Sequence, residues 1–325
     1  MRNAMFGIAA ILAIVAAPAC GGTQANGPFP ALPRRSDSAR VTPNGSWILP
    51  EARGRNLLYV GDEYDSITDI YAYPEGTLVG ALSTYGEFQH GLCSSANGNV
   101  FIAAGSGIYE YPHARPRAIA ILGDPQGTAL GCSSDPVTGD LAAISDGGVA
   151  IFRPARRDRW HLPIVIESST YLEIYCGTYD GSGNLFLGGE EYSTAKPASS
   201  GRAVFLEIRK GTTKFAPVTL NQKISQAGAM AWDGSYLDIG EGKVSNLLIH
   251  RFALHGVRGT QVGTIQLRGV NSLAQFAIQQ KTLIGSGYET QHLFGFWRYP
   301  RGGSPIEVVP QASAYGIAIS VAPHS

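Results

Sequence analysis

Charge is what this chain has least of. Only 15% of its 325 residues are Asp, Glu, Lys or Arg, and the two signs balance at 25 each. No basic domain can be assembled from that composition. The densest basic run, "RPARRDR", is too short to serve as a nucleic-acid footprint. Cysteine is sparse at 4, and no CxxC pair occurs among them. Long helical heptads are missing, which argues against an α-helical architecture. G-x-S-x-G, H-E-x-x-H and P-loop motifs are missing too, so no familiar hydrolase or nucleotide-binding centre is spelled out.

What is present points the other way. Apolar residues make up 44% of the chain, enough for a sizeable core. Glycine is abundant at 41, with 19 prolines, which suits a fold with many tight turns. The composition leans all-β.

The first twenty residues are a separate object. Arg2 precedes the short apolar run "AMFGIAAILAIVAA", too short for a comfortable membrane span and suited to a secretory leader. It ends in "APAC", followed by Gly21 and Gly22, which resembles a bacterial lipoprotein box with Cys20 as the lipidated residue. An ordinary signal peptide cut near Ala19 is the other reading, and under either one the mature protein is exported. A lipid anchor holds firmly with two or more acyl chains, which the lipoprotein modification provides. Residues 21–45 are rich in Gly, Pro, Ser and Thr and lack hydrophobic periodicity, so they read as a flexible tether.

From residue 46 to 325 the chain repeats itself. The phrases "GLCSSANGNVFIAAG", "ALGCSSDPVTGDLAAIS" and "YCGTYDGSGNLFLGG" align on Cys93, Cys132 and Cys176. The series continues through Ala229, Gln275 and Ala318, at spacings of 39, 44, 53, 46 and 43. That is the length of a four-stranded propeller blade. Turns such as "SANGN", "DPVTGD", "DGSGN" and "WDGS" separate strands one and two. Strand three ends on an aromatic, often with Pro close behind, and strand four alternates. The first unit lacks a strand one and the last segment, "AYGIAISVAP", is a strand one alone, so joining them closes a ring. The expected fold is all-β: a six-bladed β-propeller of antiparallel four-stranded blades. They are placed at 57–83 plus 314–322, 90–124, 128–167, 171–220, 225–267 and 271–310.

These units resemble the blades of NHL and YVTN-type β-propellers, and "LYVGDEYDSITDIYAYPEG" is similar to that group's strand–turn–strand signature. The resemblance covers nearly everything after residue 46. It implies the fold and leaves the function open, because propellers host unrelated activities.

The aligned cysteines read as small buried residues at the crowded axis. A disulfide between them is not expected, since equivalent positions one blade apart should exceed the roughly 7 Å Cα limit. No metal site is expected either, because no histidine shares the position. Candidate ligand-binding residues gather on the face formed by the 4–1 and 2–3 loops. They are Tyr64, Tyr85, Tyr171, Tyr192, Tyr288 and Tyr315, with His90 and His292. The acids beside them are Asp62, Glu63, Asp65, Glu87, Asp146, Glu190, Glu191, Glu241 and Glu289, and Gln275 joins the set from the sixth repeat. An aromatic and acidic rim suits sugars, cations or a basic partner protein. The insertion between Gly188 and Ala203 is the longest in the repeats and marks a recognition loop or a tolerated excursion.

Two functions lead, and a third reading is a structural propeller that packs into a larger envelope assembly. One is a cell-envelope binding module for a protein or carbohydrate, monomeric, without cofactor, nucleic acid or catalytic residue, touching the membrane only through its anchor. The other is a metal-dependent lactonase of the regucalcin and gluconolactonase type, whose axial Glu/Asn/Asp set would fall on residues such as Glu87, Asn271 and Asp146. Such proteins carry a Glu-Gly-Pro phrase near the first blade, and "SWILPEARGRN" does not match it.

The lipoprotein reading is open to a direct check. Cells expressing the chain and fed labelled palmitate should yield a labelled protein, and Cys20→Ser should abolish the label. An unlabelled wild-type protein would favour cleavage near Ala19.

Overall fold

The computed structural model describes residues 45–84, 87–155, 159–169, 172–192, 201–241, 247–287, 293–311 and 313–323. They form six antiparallel sheets arranged as a six-bladed β-propeller. The inner strands, in ring order, are Ala314–Ser320, Gln89–Ser94, Ala129–Ser134, Leu172–Tyr179, Ala227–Trp232 and Leu273–Gln279. As expected, blade 1 is completed from the far end of the chain: Ala314–Ser320 pairs with Asn56–Asp62. Ala322 N then donates to Asn56 Oδ1 across a separation of 266 residues.

Burial follows position within the blade. The second and third strands of blades 2 and 3 (Val100–Ala104, Gly107–Tyr111, Leu141–Ser145 and Gly148–Phe152) are buried throughout, because neighbouring blades cover both faces. Fourth strands such as Ala120–Gly123 and Ile164–Glu167 alternate buried and exposed. Each junction between neighbouring blades has its own apolar layer, six in all, including the one that joins blade 6 to blade 1. That last layer packs Phe294 and Ile284 against Leu58, Val60 and Ile317, so the closing junction is built like the others.

The turns after the inner strands behave as their composition implies. Asp135, Asp180 and Asp233 each accept hydrogen bonds from residues just beyond, Asp135 from Val137 N at 2.8 Å and Asp180 from Ser182 N at 2.8 Å. Gly139 and Gly183 sit at φ of 77° and 88°, a conformation that costs other residues strain.

Two expected boundaries shift. Trp47–Ile48 adds a fifth strand outside blade 1, antiparallel to Leu78–Ser83. Thr219–Leu220, expected in blade 4, instead lies parallel to Arg258–Leu267 at the edge of blade 5. The fourth strand of blade 4 is therefore only Phe215–Pro217, and the chain leaves it at Val218.

The cysteine expectation is corrected. Cys93 and Cys132 form a disulfide, with Cα atoms 5.6 Å apart. The reason is register. Counted back from the residue that opens each turn (Ser95, Asp135, Asp180), Cys93 is the second, Cys132 the third and Cys176 the fourth. Their cross-strand partners, Phe101, Ala143 and Gly188, confirm the slip. A slip of one residue turns a side chain to the opposite face of its strand. Cys93 of blade 2 and Cys132 of blade 3 consequently face each other across the same apolar layer. Near the axis the two strands also run very close: a Cβ added to Gly91 would stand 2.9 Å from Gly131 Cα. Cys176 is a free thiol that donates to Gly228 O at 3.0 Å, and burial pushes its pKa up to about 12.

The disulfide should contribute measurably to stability. Replacing both Cys93 and Cys132 with Ala should lower the unfolding free energy by about 2–4 kcal/mol in urea titrations. An unchanged midpoint would show that the bridge adds nothing to blade packing.

Candidate axial binding cup

Every inner strand carries a β-bulge near its start. The pairing register jumps between Gln89 and Leu92, at Ala129–Gly131, between Ile174 and Cys176, between Ala227 and Met230, and between Leu273 and Gln275. The sixth falls between Ala314 and Ile317. A bulge places two residues opposite one and re-aims the extra side chain. Six of them in a ring surround the axis with residues that strict alternation would have sent between the blades.

The result is a cavity of about 380 Å³ at the axis, lined from five blades. The bulges supply Leu130, Tyr175, Gly228, Ala229, Ala274 and Tyr315. Glu190 and Tyr192, at the end of the second strand of blade 4, form one wall, and Gln226 and Ser272 stand at the entrances of blades 5 and 6. Beneath it the space narrows to about 40 Å³ among Gly91, Gly131, Cys132, Cys176, Met230 and Gln275. That is room for a water or two. The cavity is thus a cup with one wide mouth.

Gln275 lines that narrowing, with its amide bound to backbone groups of other blades. Its Oε1 accepts from Leu92 N at 2.9 Å and from Ile317 N at 3.0 Å, while its Nε2 donates to Leu92 O. These backbone groups adjoin the bulges of blades 2 and 1, where the ladder is interrupted. The side chain therefore joins three blades and satisfies polar groups that the bulges released. Ser286 supports it, accepting from Gln275 N at 3.2 Å and donating to Tyr315 O.

Blade 4 carries the chemistry of the wall. Glu190 is 8% exposed and lies directly across the strand pair from Glu173. The Tyr192 hydroxyl reaches Glu190 Oε2 at 3.2 Å and also hydrogen-bonds Glu173. Tyr175 stands beside Glu190 as well, close enough to couple to it. Burial, reinforced by the neighbouring carboxylates, raises both phenols, Tyr192 to about 12 and Tyr175 further. The Tyr192 hydroxyl is the donor to the carboxylate.

Of the residues singled out in the sequence, Tyr315, Glu190 and Tyr192 line the cup. His90 stacks edge-on against Tyr315 with ring centroids 5.6 Å apart. Burial holds its imidazole below the usual range, against the pull of Asp146. The others lie apart. Tyr64 is 65% exposed and meets Phe88 edge-on, at 6.1 Å. Asp62 is spent on its own turn, accepting from Tyr64 N at 3.1 Å and Asp65 N at 2.9 Å. Glu191 pairs with Arg202, and Glu241 with Ser225 and His250. Glu87 is exposed beside Gly105, and Asp146 is exposed at the turn after strand two of blade 3. Cys20, Tyr85, Tyr171, Tyr288, Glu289 and His292 lie outside the described residues. Among the described residues no three His, Cys, Asp or Glu side chains come close enough to hold a metal ion.

Tyr175, Cys176, Gln226 and Ser272 were not anticipated as lining residues. The one available signal was the aromatic Tyr175 next to a cysteine at the start of an inner strand, where small residues prevail.

No protein-family model matches the chain, and no curated protein does. Solved structures match it by shape. A nidogen/laminin complex shares 12% identity at a TM-score of 0.63, over 83% of this chain and 100% of that one. A Bacteroides caccae protein of unknown function shares 13% at 0.57, over 82% and 99%. A calcium-binding protein, regucalcin, from Agrobacterium tumefaciens shares 14% at 0.53, over 72% and 78%. The likeness is one of fold alone.

Gln275 offers a test of structure against ligand contact. Gln275→Ala leaves Leu92 N, Leu92 O and Ile317 N without this partner and should cost about 2 kcal/mol or more of stability. If its role were ligand contact alone, the unfolding midpoint would not move.

Proposed function

We propose that this chain is an exported, lipid-anchored binding module of the cell envelope that presents its axial cup to a protein or glycan partner. One observation carries the reading: a cup of about 380 Å³, walled from five blades, with tyrosines and a buried carboxylate at its wall, that narrows to about 40 Å³. That volume lies in the range of small-molecule and side-chain sites, with few, fixed polar groups among apolar ones. The leader sequence supports export, and the Cys93–Cys132 bridge suits an oxidising compartment.

The metal-dependent hydrolase reading requires donors converging on the axis. Among the described residues the axial oxygen of Gln275 is already taken by two backbone N–H groups, and Glu87 and Asp146 belong to no cluster. No set of metal donors is assembled among the described His, Cys, Asp and Glu residues, and no hydrolytic step is derived.

Site-specific photo-crosslinking in intact cells tests the assignment. A crosslinking phenylalanine at Tyr192 should capture a discrete envelope component, whereas one at Ile121, exposed on the rim of blade 2, should not. Equal yields at the two positions would remove the cup as the binding face.

A further inference from the structure

We infer that the cup recognises an organic cation, an alkylammonium or guanidinium group, seated against Glu190 with its apolar stem along Tyr175, Tyr192 and Tyr315. This rests on the cup being the ligand site and names the chemistry it takes.

The first ground is charge. Glu190 lines the cup and is nine-tenths buried. No Lys, Arg or His stands among the described lining residues, and among the described residues Glu190 takes part in no ion pair. Its neutral neighbours there are the Tyr192 hydroxyl, which donates to it at 3.2 Å, and Tyr175. A buried carboxylate held by neutral donors alone retains much of its desolvation penalty. Glu173, directly opposite, adds like-charge repulsion. An arriving cation relieves both.

The second ground is geometry. A carboxylate offers about four lone-pair positions. The Tyr192 phenol takes up one of them, leaving the rest for ammonium or guanidinium N–H donors. Tyrosine faces beside a carboxylate attract the same cations through the ring quadrupole. The narrowing below, about 40 Å³, stops anything larger than water, so the charged head lodges at the wall and does not pass through. An anionic ligand would meet Glu190 with no compensating cation in the described lining. A neutral one would leave the carboxylate uncompensated.

Such a cation could be a free amine or the Lys or Arg side chain of a partner protein, and titration calorimetry separates them. The probes are n-pentylammonium and agmatine as free cations, the peptide Gly-Lys-Gly as a side-chain source, and 1-pentanol as the neutral isostere. The purified wild-type protein should bind at least one cation about tenfold or more tightly than the alcohol. Tighter binding of the peptide than of both free cations assigns a protein partner, and the reverse order a free amine. Glu190→Gln should weaken cation binding about tenfold while leaving the alcohol unchanged, and its unfolding midpoint should hold or rise because an uncompensated buried charge is gone. Equal binding of pentylammonium and pentanol by the wild type overturns the proposal and needs no variant. So does undiminished cation binding by Glu190→Gln. If none of the cations binds but crosslinking stays confined to Tyr192, the cation assignment fails and the cup survives. Crosslinking spread evenly over both positions ends both.

Discussion

Six strands converge on one axis, and the space left between them sets the terms for everything else in this molecule. Where Gly316 faces blade 2, an added Cβ would stand 2.1 Å from the Leu92 side chain and 2.3 Å from His90 O. Where Gly177 faces blade 3, it would stand 3.0 Å from Ile144 Cδ1. Such contacts leave no room for ordinary side chains at the neck. The inner strands respond in two ways. They use glycine, alanine, serine and cysteine where blade meets blade, and they bulge at their entrances, where the ring widens. Crowding and cup are thus two sides of one constraint.

The bulges carry a cost in unpaired backbone, and the neck is where it is met. Gln275 reaches across from blade 6 to groups on blades 1 and 2, so a polar side chain at the most crowded point acts as a fastener. Away from the axis, a second polar fastener joins blades 5 and 6. Arg251 lies between the rings of Tyr236 and Tyr299, 4.8 and 5.1 Å from their centroids, and Tyr299 hydrogen-bonds both Asp233 and Asp238. Burial holds the Asp238 carboxyl up at about 7 despite the nearby guanidinium, while hydrogen bonds keep Asp233 low. The apolar layers supply most of the adhesion between blades, and these polar contacts fix how the blades are set.

Most of the fold could be read from the chain because its signals are local. The Asn, Asp and Gly turns and the apolar second strands each announce themselves within a few residues, and six repetitions reinforce them. The cysteines are poor alignment marks because they stand at different registers of their strands. Aligning instead on Ser95, Asp135 and Asp180 places Cys93 and Cys132 on facing sides of their strands. The bulges were invisible for a related reason. A period-two pattern assigns each residue a face, and a bulge resets that assignment without changing composition. Tyr315 and Tyr175 both reach the axis at a bulge, but Tyr315 stands at the very start of its strand, next to the loop that leads in, whereas Tyr175 lies further along its own. Gln275 was placed at the axis correctly, but its partners are backbone groups of other blades, which no side-chain pattern reveals.

Closure by Ala314–Ser320 has a bearing on how the molecule comes into being. A chain made from its N-terminus produces Asn56–Asp62 long before the strand that covers its inner edge. Until then blade 1 carries an almost wholly buried-type strand with its hydrogen-bonding groups open, an invitation to pair with the wrong neighbour. Blades 2 and 3 have no such delay: their bridging cysteines are 39 residues apart and both available once the third blade begins. The ring therefore has an early-locking sector and a late-locking seam.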